Sequence, residues 1–136
     1  MPIGPIALNA QTPYYIYEYG YGPKIFYVGN SWSPVRIYGR WGFVRSIIER
    51  QAKNPSKPVK SLQTKSNAVI AALIHHGMNE FEVAIPWEGK GKIAAEKQEK
   101  QQIALRLNQG CLLANQQHGP KNLNVEMIVD WLTNGK

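Results

Sequence analysis

Two short runs of aromatic and β-branched residues, Tyr14-Tyr15-Ile16-Tyr17 and Ile25-Phe26-Tyr27-Val28-Gly29, stand on either side of Tyr19-Gly20-Tyr21-Gly22-Pro23. Such runs prefer extended backbone, and glycine followed by proline punctuates a reversal, so the segment predicts a β-hairpin. Side chains two apart share a face of a strand, which puts Tyr15, Tyr17 and Tyr19 on one side. Loop parity then decides the chemistry. An odd loop such as Tyr21-Gly22-Pro23 would set Tyr17 opposite Tyr27, with both hydroxyls on one face, whereas an even loop would separate them. Paired phenols with Arg36 shortly downstream suit acid–base chemistry beside a phosphate. A hairpin that only buries an aromatic core is the competing reading.

The rest of the chain alternates helical and extended patterns. Ser33-Pro34 are the residues favoured at a helix N-cap and first position, and Ile37, Trp41, Val44 and Ile48 follow at helical spacing. They predict one helix over 33–52, running across Gly39 and Gly42. Residues 53–64 form a polar loop rich in proline and lysine. A second helix over 66–76 stops at Gly77, and Phe81, Val83 and Ile85 alternate as a third strand that ends before Pro86-Trp87. A long helix over 92–108 ends at Gly110, and a short one over about 124–133 carries Met127, Ile128, Trp131 and Leu132. The order β-β-α-α-β-α-α predicts a small α+β domain, a three-stranded and mainly antiparallel sheet flanked by helices.

At 136 residues the chain is long enough for one core and too short for two, so residues 1–136 read as a single domain. Lys and Arg number 16 against 9 Asp and Glu, and the net charge of +7 favours a polyanionic partner. Charge alone does not separate DNA from RNA. A membrane partner is disfavoured, because no apolar run approaches about 18 residues and no charged leader precedes an apolar stretch. A lone Cys111 excludes an internal disulfide and a Cys-based metal cluster, which suits a reducing, cytoplasmic setting.

One carboxylate stands in an apolar row. Ala95, Ile103 and Leu107 share the inward face of the long helix, and Glu99 completes it. A buried carboxylate is costly unless it is paired, metal-bound or protonated; the bland alternative is a residue at the stripe's edge whose carboxylate snorkels to water. Arg36 and Arg40, four apart, would project from one side of the first helix and grip a phosphate, or simply form a solvated basic face. Lys24, Lys57, Lys60 and Lys65, with Trp32 stacking on a base, make up a candidate nucleic-acid surface. Trp41, Trp87 and Trp131 read as packing residues, and His75-His76 as a helix-end pair. Glu88-Gly89-Lys90-Gly91-Lys92 is faintly like a phosphate-cradling loop but lacks Gly-Lys-Ser/Thr spacing, so it reads as a mobile basic loop.

Taken together, these residues resemble the GIY-YIG nuclease family over roughly residues 13–120. Tyr15-Ile16-Tyr17 stands where the family has Gly-Ile-Tyr, and Phe26-Tyr27-Val28-Gly29 where a variant of its second motif reads Phe-Tyr-Val-Gly. Arg36-Ile37-Tyr38, the helix from Ala95 through Glu99 to Ile103, and Leu112-Leu113-Ala114-Asn115 match its arginine, metal-glutamate and Leu/Asn segments in order. The resemblance implies a GIY-YIG-like fold and a metal-dependent endonuclease that hydrolyses DNA phosphodiester bonds. Tyr17 and Tyr27 would flank the attacking water, one of them as general base. Arg36 would contact the scissile phosphate, Glu99 would hold one Mg²⁺ or Mn²⁺, and Asn115 would orient the site by hydrogen bonding. Three positions depart from the family: Tyr15 for its Gly, Arg40 where His or Tyr is usual, and Asn30 where a lysine often stands. Arg40 cannot relay a proton at neutral pH, although a guanidinium lowers the pKa of a phenol beside it. A homodimer is one way for a one-site domain to cut both strands. The alternatives are a non-catalytic nucleic-acid-binding module on the same scaffold, and a basic globular protein whose tyrosines and Glu99 are structural.

Overall fold

The computed structural model describes residues 9–56, 59–115 and 123–134, and of Lys60 the backbone only. Three strands, β1 (Pro13–Tyr21), β2 (Lys24–Ser31) and β3 (Glu82–Lys90), form one antiparallel sheet in the order β2-β1-β3. Around it pack α1 (Pro34–Tyr38), α2 (Arg40–Lys53), α3 (Lys65–His75), α4 (Lys92–Asn108) and α5 (Val125–Thr133), with a 3-10 turn at Lys60–Gln63. The α+β class is the one the alternating patterns predict. No helix among the described residues is long and apolar enough to cross a membrane.

Because β1 is the central strand, it is buried on both sides and divides the core in two. Tyr17 and Tyr19 join Phe26, Ile37, Val44, Val69 and Ile70 on one face, against the helices on either side of the 3-10 turn. Tyr14 and Ile16 join Ile25, Val28, Ala95, Ile103 and Leu113 on the other, beneath α4. Glu18, on the α4 side, is 1 % exposed and is answered from that helix. Arg106 donates through Nε to Oε2 at 2.6 Å and through Nη2 to Oε1 at 2.8 Å, and Gln102 Nε2 donates to Oε2 at 2.8 Å. A two-pronged, charge-assisted contact of this kind ties α4 to the sheet. The deeply buried carboxylate is therefore Glu18, whereas Glu99 is half-buried.

The hairpin turn is even. Gly22 and Pro23 lie between the paired residues Tyr21 and Lys24. Gly22 has φ 60, and the proline ring imposes a negative φ after it, the sign pattern of a type II′ turn. Even parity alone would send Tyr17 and Tyr27 to opposite faces. The pairing shifts between Tyr19 and Gly20, however, where Phe26 is an extra residue. This bulge restores the offset, so Phe26 and Tyr27 both turn toward Tyr17 and Tyr19. Tyr27 pairs with Tyr19, and Tyr17 pairs with Gly29. The two motif tyrosines are diagonal neighbours, not directly opposed.

Two other elements depart from the sequence pattern. β3 runs through Pro86, which sits on an edge strand at a register irregularity between the pairs Ile16–Trp87 and Glu18–Ala84, where a missing N–H is tolerated. Residues 88–90 are accordingly strand, not mobile loop. The first helix is interrupted. Ser33 caps α1, accepting from the Arg36 N–H at 3.4 Å, but the helix ends at Tyr38 and α2 begins at Arg40. Gly39 takes φ −95 and ψ 1, and a Cβ there would stand 2.7 Å from the Val35 carbonyl oxygen, so only glycine closes this corner. The break ends the shared helix face expected of Arg36 and Arg40. Arg36 is exposed, and Arg40 is half-buried.

Candidate active site

The tyrosine face of the hairpin gathers most of the chemistry. The rings of Tyr17 and Tyr27 lie 6.0 Å apart between centroids, and Tyr19 lies 5.1 Å from Tyr17 and 5.8 Å from Tyr27. The Arg40 guanidinium stands 5.8 Å over both the Tyr19 and the Tyr27 ring, with Nη2 3.5 Å from the Tyr17 hydroxyl. Its Nη1 donates to Asn67 Oδ1 at 3.1 Å, and Asn67 Nδ2 donates to the Ser61 carbonyl at 2.8 Å. An amide on α3, anchored to the 3-10 turn, thus aims the arginine. No carboxylate among the described residues forms an ion pair with Arg40. A half-buried cation that faces phenols in place of a carboxylate is suited to an anion arriving from outside.

Two features hold the tyrosines in place. A Cβ at Gly29 would lie 2.6 Å from both Cζ and Oη of Tyr17, so the missing side chain is the space the phenol occupies. Asn115 behaves as an added strand residue along the outer edge of β2. Val28 N–H donates to its Oδ1 at 3.1 Å, its Nδ2 donates to the Val28 carbonyl at 2.6 Å, and Ala114 N–H donates to the Phe26 carbonyl at 2.7 Å. The backbone on both sides of Tyr27 is fixed as a result.

Burial sets the acid–base character. Tyr17 is 4 % exposed, and its phenol is pushed well above its ordinary value, first by burial and then by the Tyr27 and Tyr19 phenols; Arg40 pulls the other way and is outweighed. Tyr19 is raised for the same first reason, with Arg40 again opposing, and its hydroxyl donates to the Ile37 carbonyl at 2.6 Å. Tyr27 is half-buried and is the more accessible of the two motif tyrosines.

The remaining sequence-predicted residues scatter. The Arg36 side chain is exposed and makes no hydrogen bond among the described residues. Lys24 Nζ donates to the Trp131 carbonyl at 2.7 Å, and Lys65 Nζ donates to the Leu123 carbonyl at 2.6 Å, so both lysines tie down the region of α5. Trp32 packs with the cluster beneath α4, on the face away from Tyr17. Lys57 and the side chain of Lys60 lie outside the described residues. Glu99 is carried by α4, whose buried residues Ala95 and Ile103 belong to that same opposite face. Sequence reasoning missed Asn67, for which the available signal is a buried amide three and six residues ahead of the buried Ile70 and Leu73.

Among the described residues no three of His, Cys, Asp and Glu gather at one place. Glu99 as a single proposed protein ligand suits Mg²⁺ in one respect: that ion keeps several waters and takes oxygens from a substrate phosphate in preference to an all-protein cage. The chain matches no family model, no curated protein and no solved structure.

Proposed function

We propose that this chain is an endonuclease that hydrolyses DNA phosphodiester bonds at the Tyr17–Tyr27–Arg40 cluster. The observation that supports this most is the convergence of two phenols on a half-buried guanidinium that has no carboxylate partner among the described residues. In this reading Arg40 takes the phosphate oxygens and offsets the charge that builds as water attacks phosphorus and the bond to the leaving oxygen breaks. Tyr27, the more accessible of the two phenols, serves as the general base toward the attacking water. Tyr17, kept neutral by burial, donates a hydrogen bond to the phosphate or the water. Asn67 and Asn115 position Arg40 and Tyr27. In a metal-dependent mechanism Glu99 would be the residue that holds Mg²⁺ for charge neutralisation, although α4 carries it on the other face of the sheet from the tyrosines. Arg36, exposed on α1, would follow the strand backbone.

The placement of α4 on the other face of the sheet from the tyrosines favours a second reading, a nucleic-acid-binding module without turnover. Supercoiled plasmid with Mg²⁺ or Mn²⁺ separates the two. Nicking by the wild type that falls about 10²-fold or more in Tyr27→Phe, Arg40→Ala and Glu99→Ala supports the nuclease. Activity of Glu99→Ala equal to wild type sinks the metal-dependent mechanism, and retarded migration without nicking selects the binding module.

A further inference from the structure

Half of the large apolar side chains exposed among the described residues, Val35, Tyr38 and Phe43, belong to α1 and the first turn of α2. Tyr38 is 55 % and Phe43 49 % exposed, and neither ring joins either half of the core or meets another ring among the described residues. Trp32, which the sequence suggests for stacking on a base, packs beneath α4 instead.

The corner between the helices brings these side chains to one region. The Gly39 N–H donates to the Val35 carbonyl at 2.9 Å, and the Phe43 N–H donates to the Gly39 carbonyl at 3.0 Å, so Val35, Gly39 and Phe43 follow one another turn by turn. Val35 and Tyr38, three apart, share a side of α1, while Ile37 turns inward. A Cβ at Gly42 would meet nothing within 4 Å. No packing within the chain therefore requires glycine there, and the ground beside Phe43 is open to the close approach of another molecule.

Charge says what that molecule is. The two helices carry Arg36, Arg40, Arg45, Arg50 and Lys53 against one carboxylate, Glu49. Arg50 is two turns beyond Phe43 and on the same side of α2. Ser46, Arg50 and Lys53 are all exposed along that side, so no continuous apolar face continues from Phe43 to enter a bilayer. Isolated rings among cations suit a polyanion that carries flat apolar groups. In a duplex the faces of the bases are covered by their stacked neighbours, so only unpaired bases can lie on a protein ring. We infer that this surface binds single-stranded DNA, with Tyr38 and Phe43 stacking on unpaired bases and Arg36 and Arg50 taking phosphates. Arg40 lies in the chain between the two rings, and its guanidinium stands over Tyr27, so a strand held here reaches the tyrosine cluster. The inference names an unpaired strand as the substrate of the nuclease and rests on that reading for this point alone, since binding needs no turnover.

The test is fluorescence anisotropy of the full chain with a labelled oligothymidylate of about 20 nucleotides, in EDTA, beside a duplex and an abasic strand of the same length. The oligothymidylate is expected to bind about tenfold more tightly than either. Tyr38→Ala and Phe43→Ala each weaken it about tenfold and leave duplex binding within about twofold, whereas Tyr38→Trp and Phe43→Trp keep a stacking face and bind as wild type does. Arg36→Gln weakens strand and duplex alike and lowers the slope of log affinity against log salt by about 0.7–0.9. Equal affinity for the oligothymidylate and the duplex, or for the oligothymidylate and the abasic strand, would overturn the inference. Alanine variants that bind as wild type does, or tryptophan variants that bind no better than the alanine ones, would do the same. Binding to phosphatidylserine vesicles that the alanine variants lose, with oligothymidylate binding unaltered, would give the rings to a membrane and overturn it too. Plasmid nicking without a preference for the single strand defeats this inference alone, and strand preference without nicking defeats the nuclease reading alone.

Discussion

Replacing Gly29 with alanine adds one methyl group under the phenol of Tyr17. That methyl would lie 2.6 Å from Cζ and Oη and 2.9 Å from Cε1. Comfortable contact begins at about 3.5 Å, so the ring has to retreat by roughly 1 Å. It has little room to do so: Tyr19 and Tyr27 crowd it at 5.1 and 6.0 Å between centroids, and Arg40 stands at its hydroxyl. Gly29 has no positive φ, so the backbone itself accepts alanine and the cost falls on packing. Overpacking of this size costs about 1–3 kcal/mol, which for a domain of this length lowers Tm by roughly 4–12 °C. A displacement of about 1 Å at a reacting group costs about 10²-fold in rate, so plasmid nicking falls far more than stability does. Repeating the substitution in a Tyr17→Leu background removes the clash, and the destabilisation by Gly29→Ala shrinks by about 1 kcal/mol or more. A Gly29→Ala protein with wild-type Tm and wild-type nicking, or a cycle with no coupling, would refute the claim that this gap holds the phenol.

Three further outcomes are expected. Asn115→Ala strips both hydrogen bonds from the Val28 backbone and lowers unfolding free energy by about 2–4 kcal/mol in urea titration, with the slope unchanged. Arg106→Ala leaves the buried Glu18 carboxylate without its cation and costs about 3–5 kcal/mol, whereas Arg45→Ala, at an exposed pair with Glu49, changes the urea midpoint little. Alkali destabilises the fold: Tyr17, Tyr19 and Tyr21 all hold their protons more tightly when folded, Tyr21 up to about 12 through burial and Glu80. Stability is thus complete below about pH 10, where unfolded tyrosine ionises, and is lost as pH rises beyond it. Denaturation midpoints that stay flat from pH 9 to 12 would contradict this.

The elements most legible in the sequence are those set by local chemistry. Ser33, Thr64 and Asn124 each accept the hydrogen bond of a helix start, and the apolar spacing of α4 and α5 gives their spans. The face shared by Tyr17 and Tyr27 depended on something less local. The bulge at Phe26 lets that ring pack against Tyr19 and Phe81, at 6.4 and 5.7 Å between centroids, and Phe81 is remote in the chain. The corner at Gly39 was hidden because a single glycine inside a helical period is compatible with both a continuous and a broken helix. The break in turn exchanged the two arginines, so that Arg40 reached the tyrosines and Arg36 did not. Periodicity singled out Glu99 because it reads one helix at a time. Glu18 was concealed in an aromatic strand, and its partner Arg106 lies 88 residues away.

The amide of Asn115 also decides how the sheet meets other sheets. A strand edge left open invites pairing with another chain. On the β2 side, Ala114 and Asn115 already consume the Phe26 carbonyl and both backbone groups of Val28. On the β3 side, Pro86 lacks a donor, and Glu82, Glu88 and Lys90 are exposed along the strand. Neither border is an easy template for continuing the ladder, so two copies of this domain are expected to meet through helices or through a bound strand, and concentrated protein to resist sheet-to-sheet aggregation.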